Sequence, residues 1–140
     1  MQMRRLLLAL LVAGSLTASA QDYRPRYHFT PPKNWINDPN GLVYHDGRYH
    51  LFYQHNPFAN QWGHMSWGHA VSKDLLRWEH LPVAIPEFTE GGKTTAIFSG
   101  SAVIDAGNRN GLCPPGTTDC FVAVYTGNVT QGDNQLAQYQ

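Results

Sequence analysis

The sequence feature that most constrains the fold is a run of short predicted strands separated by tight turns. Asp46-Gly47 lies between two apolar stretches, and Asp-Gly in such a place is a strong β-hairpin signal. In the returning strand, residues 48–54, apolar or aromatic side chains occupy both sets of alternating positions. That pattern predicts a strand packed on both faces, within an all-β chain that has no helix of ordinary length.

The same rhythm appears twice along the chain. Between the third and fourth strands of the first unit, Ser72 is predicted to cap a short helical turn at residues 73–76. Consecutive four-stranded antiparallel units are typical of β-propeller blades, although a β-sandwich gives a comparable run of strands. The predicted strands are residues 41–44, 48–54, 67–72 and 78–85 in the first unit, and 95–104, 121–125 and a strand starting near 135 in the second.

The N-terminus has the pattern of a secretory signal. Two arginines precede an apolar run, residues 6–13, and an Ala-x-Ala cleavage pattern ends at Ala20. The run is shorter than the ~20 residues that span a bilayer. We therefore predict a signal peptide over residues 1–20 and a secreted chain over residues 21–140, with an uncleaved membrane anchor as the alternative.

The length of the remaining chain bounds the architecture. Propellers close with about four to eight blades, and an unclosed pair leaves strand edges exposed. Residues 21–140 have room for one blade and most of a second. We therefore expect these residues to form the N-terminal part of a larger propeller.

The two cysteines are predicted to form a disulfide. Cys113 and Cys120 flank a loop that contains Pro-Pro-Gly, and export would expose them to an oxidising compartment. The alternative is two unpaired thiols, since their spacing fits neither a metal site nor a redox motif.

The most informative chemistry lies in residues 35–41, Trp-Ile-Asn-Asp-Pro-Asn-Gly. Pro39 disfavours the helical region for Asp38 and holds it on an extended backbone, and Asn40-Gly41 favours a turn into the next strand. A carboxylate held in this way suits a glycosidase nucleophile, with the Asn37 amide beside it. From backbone chemistry alone, an Asp that only stabilises its own turn is the other interpretation.

Residues 35–41 also resemble the sucrose-box signature of glycoside hydrolase family 32, the invertases, inulinases and levanases. The resemblance covers nearly all of the chain after the predicted signal, as several separate motifs in order. These motifs are Leu51-Phe52-Tyr53-Gln54-His55-Asn56-Pro57, Trp62-Gly63, Trp67-Gly68-His69-Ala70, Ser72-Lys73-Asp74-Leu75 with Trp78, and Phe98-Ser99-Gly100-Ser101.

The resemblance implies a five-bladed propeller, of which this chain would supply the first one to two blades, and retaining hydrolysis of β-fructofuranosides. By the same resemblance Asp38 is the nucleophile. Core packing is the favoured interpretation for Phe52, Trp67 and Trp78. The positions that match the family's fructose pocket are Trp35, Asn37, Gln54, Trp62, Phe98 and Ser99.

Two family motifs are absent from this sequence. The Arg-Asp-Pro motif would carry the transition-state stabiliser and the Glu-Cys pair would carry the acid/base. The remaining acids match neither motif and are expected to be turn, surface or solvated residues; they include Asp46, Asp74, Glu79, Glu87 and Glu90. We therefore expect this chain alone to be inactive. A non-catalytic carbohydrate-binding propeller and a fructosyltransferase remain alternatives.

Neither composition nor histidine spacing indicates a cofactor. The formal net charge is zero and no basic face is visible, so no nucleic-acid or membrane-surface partner is predicted. His45 and His50 are five residues apart, as are His64 and His69, and strand alternation places such pairs on opposite faces. We therefore predict no metal site and no cofactor. The resemblance to glycoside hydrolase family 32 implies a fructose-containing oligo- or polysaccharide as the partner.

Overall fold

The computed structural model describes residue 25 and residues 27–140, and all eight of the elements found there are β-strands. The predicted signal peptide lies outside the described residues. The strands form two four-stranded antiparallel sheets, each with its strands in sequence order. The first sheet contains β1 Trp35–His45, β2 Arg48–Asn56, β3 Ser66–Ser72 and β4 Trp78–Ile85, and the second contains β5 Phe88–Glu90, β6 Lys93–Ala106, β7 Asp119–Gln131 and β8 Asn134–Tyr139. The all-β prediction is confirmed, while the number of blades stays a prediction.

The first hairpin forms where the sequence predicts it. Asp46 and Gly47 have φ values of 48° and 75°, as a tight turn between antiparallel strands requires, and His45 pairs with Arg48 across it. β1 begins six residues earlier than predicted, at Trp35. Pro39 does not end the strand, because the register shifts on both sides of it and the missing N–H falls at an irregularity of the ladder.

The predicted helical turn after Ser72 is wrong. The chain bends through residues 73–77 without helical structure, and Leu75 has a φ of 63°. Ser72 does act as a cap, since its Oγ accepts hydrogen bonds from the backbone N–H groups of Asp74 (3.2 Å) and Leu75 (2.8 Å).

The second sheet has longer strands than the sequence predicts. The three-residue β5 was missed, and β7 extends well beyond the predicted 121–125. The predicted disulfide is present and joins Cys113, in the loop between β6 and β7, to Cys120 at the start of β7. The described residues contain no helix long and apolar enough to cross a membrane.

The core lies between the two sheets. Phe52 and Trp67 from the first sheet pack with Ile97 and Ala102 from β6. Gly41 allows this approach, because a Cβ built there would lie 2.8 Å from the backbone nitrogen of Ala102. Trp78, expected to be a core residue, is only half-buried at the start of β4.

Candidate functional site

The site begins at the irregular start of β1. Trp35 Nε1 donates a hydrogen bond to Asn37 Oδ1 at 2.8 Å, which orders the strand just before Asp38. The register shift around Pro39 leaves Asn37 and Asp38 exposed while Asn40 is buried. The bulge therefore turns the carboxylate of Asp38 out of the sheet ladder.

Asp38 is held by a residue from the second sheet. Ser99 Oγ donates a hydrogen bond to Asp38 Oδ2 at 2.6 Å, across 61 residues of sequence. Ser99 lies at the register shift of β6, between Ile97 and Gly100. Two irregular strand segments, one in each sheet, thus bring the carboxylate and the hydroxyl together.

A buried hydrogen-bond network supports this junction. Gln54, 2% exposed, donates from Nε2 to the carbonyl of Ile97 at 2.9 Å, and Trp67 Nε1 donates to the carbonyl of Phe98 at 3.0 Å. When the Asn40 amide is oriented with its oxygen toward these two side chains, that oxygen accepts hydrogen bonds from Trp67 Nε1 at 2.9 Å and Gln54 Nε2 at 3.2 Å. The network ties β1, β2 and β3 to β6 directly beneath Asp38 and Ser99.

Two aromatic rings, Trp62 and Phe98, lie beside Asp38 and Ser99. Trp62 lies in the loop after β2 and is 60% exposed, and its ring centroid is 6.1 Å from that of Phe98 at an interplanar angle of 65°. An exposed tryptophan beside hydrogen-bonding groups offers a flat apolar surface to the C–H face of a sugar.

These groups line one cavity of about 310 Å³. Six of the seven predicted site residues belong to it, and the seventh, Trp35, contacts it through Asn37. Sequence reasoning missed three lining residues, Met65, Thr126 and Gln138, which carry no local motif. The full lining is Asn37, Asp38, Gln54, Trp62, Met65, Phe98, Ser99, Thr126 and Gln138.

Asp38 is the one carboxylate among the described residues that line this cavity. Asp46 and Glu79 have side chains 86% and 70% exposed, as expected. The expectation that Glu87 is solvated is wrong: its side chain is 19% exposed and pairs with His64. Ser66 Oγ accepts a hydrogen bond from the Glu87 backbone N–H at 3.0 Å and so holds that segment against β3.

Two histidines meet that were not paired in the sequence argument, one from each of the two pairs five residues apart. His50 Nδ1 and His69 Nε2 are 3.1 Å apart, on neighbouring strands β2 and β3. Burial lowers the pKa of His69 to about 4, with smaller contributions from the nearby charges of His50 and Arg48. The pair lies away from the cavity at Asp38 and belongs to the packing between the sheets, where Phe121 contacts His50. Within the described part of the chain, no three His, Cys, Asp or Glu side chains converge as metal ligands.

Comparison with known proteins places the chain in a family. Residues 28–140 match the glycosyl hydrolases family 32 N-terminal domain. Over 106 residues the chain is 58% identical to a levanase from Bacillus subtilis, an alignment that covers 76% of this chain and 15% of the levanase. It is 54% identical to an extracellular exo-inulinase from Aspergillus awamori, with 76% of this chain and 20% of that protein covered.

Solved structures agree with these sequence matches. The crystal structure of the Aspergillus awamori exo-inulinase superposes with a TM-score of 0.70 at 45% identity, over 85% of this chain and 25% of that one. A β-fructofuranosidase from Schwanniomyces occidentalis, complexed with fructosyl-erythritol, gives a TM-score of 0.67 at 42% identity, over 82% of this chain and 22% of that one. The chain spans a quarter or less of these relatives, yet most of its own length matches them. It belongs to glycosyl hydrolase family 32.

Proposed function

We propose that this chain carries the nucleophile half of a retaining β-fructosidase that cleaves β-fructofuranosyl bonds in sucrose, inulin or levan. The single observation that supports this most is the Asp38 carboxylate, held by Ser99 at 2.6 Å in a cavity with two aromatic rings and three side-chain amides. The levanase and exo-inulinase relatives supply the substrate class. The non-catalytic alternative is less favoured, because the carboxylate that a nucleophile requires is present at this position.

In the proposed reaction, Asp38 attacks the anomeric carbon of the fructosyl unit and forms a covalent fructosyl-enzyme. Ser99 donates a hydrogen bond to Oδ2, which orients the carboxylate for this attack. The side chains of Asn37 and Gln54 pair with sugar hydroxyls, and Trp62 and Phe98 cover the apolar side of the ring. Water then attacks the same carbon and releases fructose with its configuration retained.

Retention requires a second carboxyl group roughly 5–5.5 Å from the first, to protonate the leaving oxygen and later activate water. No other carboxylate among the described residues lines the cavity. We propose that this group comes from a further part of a five-bladed propeller, of which the two sheets are the first two blades. The 140-residue chain by itself is then inactive, and sucrose or inulin hydrolysis by the purified chain would contradict this.

Substituting Asp38 in the full-length enzyme tests the proposed function. Asp38→Asn keeps the shape and the Ser99 contact but removes the nucleophile, so kcat should fall by roughly 10³-fold or more with Tm little changed. Near-normal turnover by the folded variant would remove Asp38 from this role. Product analysis at high sucrose separates hydrolysis from the fructosyltransferase alternative, because a transferase yields longer oligosaccharides in place of free fructose.

The proposed enzyme is exported. The signal pattern over residues 1–20 and the extracellular exo-inulinase relatives both support this location. A secreted enzyme meets polymeric fructans that do not enter cells, which agrees with the substrate class.

A further inference from the structure

A second cavity lies at the opposite end of the first sheet from Asp38. Its volume is about 530 Å³, larger than the cavity of about 310 Å³ at Asp38. The start of β2, the end of β3, the turn that follows and the start of β4 form its wall. Arg48 lines this cavity and Gln54 lines the other, six residues further along β2, so the two are separated by roughly 20 Å of strand.

Trp78 gives this cavity a fixed aromatic surface. The indole Nε1 donates a hydrogen bond to the carbonyl of Leu75 at 3.2 Å, and the ring packs against Phe29 with centroids 5.4 Å apart. The side chain is only half-buried, so part of it remains open to a ligand. An aromatic ring that is already held in place loses little conformational freedom when a ligand stacks on it.

Positively and negatively charged side chains line the cavity together with the Trp78 ring. Arg48 lies 3.9 Å from Glu79, and Arg77 lies 3.1 Å from Asp74. The side chains of Arg77 and Glu79 are 90% and 70% exposed, so most of their hydrogen-bonding capacity faces solvent. Hydrogen bonds from the backbone N–H groups of Arg77 and Leu76 lower the pKa of Asp74 to about 2, so this carboxylate stays ionised.

This chemistry fits a neutral, hydroxyl-rich ligand. Sugar hydroxyls both donate and accept, so they can pair with guanidinium and carboxylate groups together. The wall carries three basic and two acidic side chains, which leaves little net field to select an anion. The basic side chains are Arg48, Lys73 and Arg77, and the acidic ones are Asp74 and Glu79.

We propose that the Trp78 cavity binds a stretch of fructan chain remote from the bond being cleaved. The identity of the polymer rests on the proposed function. Trp78 stacks on a sugar ring while Arg77 and Glu79 bond to its hydroxyls. Holding the polymer at a second point raises its local concentration at the enzyme and favours polymers over sucrose.

The test measures polymer binding without turnover. In the full-length enzyme, Asp38→Asn prevents hydrolysis and Trp62→Ala weakens binding at the first cavity. In this background, levan and inulin should still retard the protein in affinity electrophoresis. Adding Arg77→Ala with Glu79→Ala should weaken that retardation roughly five- to tenfold, because two exposed hydrogen-bonding groups are lost. Retardation that persists unchanged overturns the proposal.

A matched pair controls for the loss of charge. Glu90→Ala with Lys93→Ala also removes one acid and one base, from an exposed hairpin where Glu90 pairs with Lys93, and should leave retardation intact. Equal weakening by this pair, or binding of dextran sulfate in preference to both fructans, would contradict a neutral polysaccharide site.

Kinetics in the otherwise unmodified enzyme separate this site from the proposed function. Arg77→Ala with Glu79→Ala should leave sucrose kinetics unchanged and raise KM for levan or inulin. An equal KM change for sucrose and the polymers would contradict a polymer site. Absence of hydrolysis in the parent enzyme would instead defeat the proposed function, and electrophoretic binding would still report on the Trp78 cavity.

Discussion

At the scale of single residues, the proposed chemistry depends on how the Asp38 carboxylate is held. The Asp-Pro junction fixes its backbone and Ser99 fixes its carboxylate at 2.6 Å. The first constraint can be read from the sequence, because Pro39 follows Asp38 directly. The second depends on the register of two sheets, since 61 residues separate the partners. Thr126 and Gln138 were missed for the same reason: polar residues in strands carry no local sign of which cavity they line.

Removing the Ser99 hydroxyl should impair catalysis without affecting folding. Ser99 is exposed and its hydrogen bond orients the Asp38 carboxylate, so Ser99→Ala in the full-length enzyme should lower kcat roughly 10- to 100-fold by misplacing that group. The free energy of unfolding should change by less than about 0.5 kcal/mol. Steady-state kinetics and denaturant unfolding provide the measurement. Ser101→Ala, also exposed on β6, is the control, and matching kinetics for the two variants would deny Ser99 this role.

At the scale of elements, tight turns were easier to predict than strand lengths. Asp46-Gly47 identified the first hairpin, and the bounds of β4 were predicted as observed. β1 was predicted too short because Asn40-Gly41 was interpreted as a turn, whereas the strand runs through both residues and Pro39 lies at a bulge. β5 was missed because three residues are too few to show a periodic pattern. Pairing between distant strands, which builds the site, is not encoded locally.

Enlarging Gly41 should disturb both packing and catalysis. A Cβ there would lie 2.8 Å from Ala102 N and 2.9 Å from Ala102 Cβ, so β1 and β6 must move apart. Gly41→Ala should cost about 1–3 kcal/mol of stability. It should also lower kcat, because Asp38 lies in β1 and Ser99 in β6, and moving these strands apart separates the two side chains. Thermal unfolding and kinetics check both effects. Leu42→Ala, at an exposed neighbouring position, is the control; equal Tm values for the two variants would argue against the close approach.

The pair formed by buried His50 and half-buried His69 should make the protein sensitive to acid. The pKa of His69 is lowered from 6.5 to about 4, chiefly by burial and then by His50 and Arg48. Between pH 6.5 and 4 the unfolded chain therefore binds a proton that the folded chain does not bind, and the free energy of unfolding falls as pH drops through this window. The lowered pKa of His50 acts in the same direction.

Denaturant unfolding at pH 7 and pH 4.5 measures this dependence. His69→Gln removes the titrating group, so its loss of stability on acidification should be smaller than that of the wild-type protein. An equal loss in the two proteins would show that His69 does not contribute.

At the scale of the whole molecule, two sheets in sequence order pack through one shared core, and the cavity at Asp38 opens where they meet. The order of strands follows from short turns between antiparallel neighbours, so it could be expected from the sequence. The packing of one sheet on the other could not, because it depends on small residues such as Gly41 and Ala102 at the contact. Their size matters only once the partner strand is known.

Export of the protein should be accompanied by cleavage after Ala20. Mass spectrometry of the secreted protein should find Gln21 at its N-terminus, because the small-residue pattern ends at Ala20. Ala18→Arg with Ala20→Arg should block processing and leave the longer form in the cell. A secreted protein that retains residues 1–20, or an unmodified protein anchored in the membrane, would contradict the predicted signal.

Trapping the covalent intermediate tests most directly whether Asp38 is the nucleophile. Full-length enzyme is mixed with sucrose or inulin and quenched rapidly in acid, and its peptides are analysed by mass spectrometry. One fructosyl unit should be attached to Asp38, and the Asp38→Asn variant should carry no adduct. An adduct on a different carboxylate, or no adduct together with inverted configuration of the released fructose, would contradict this role of Asp38.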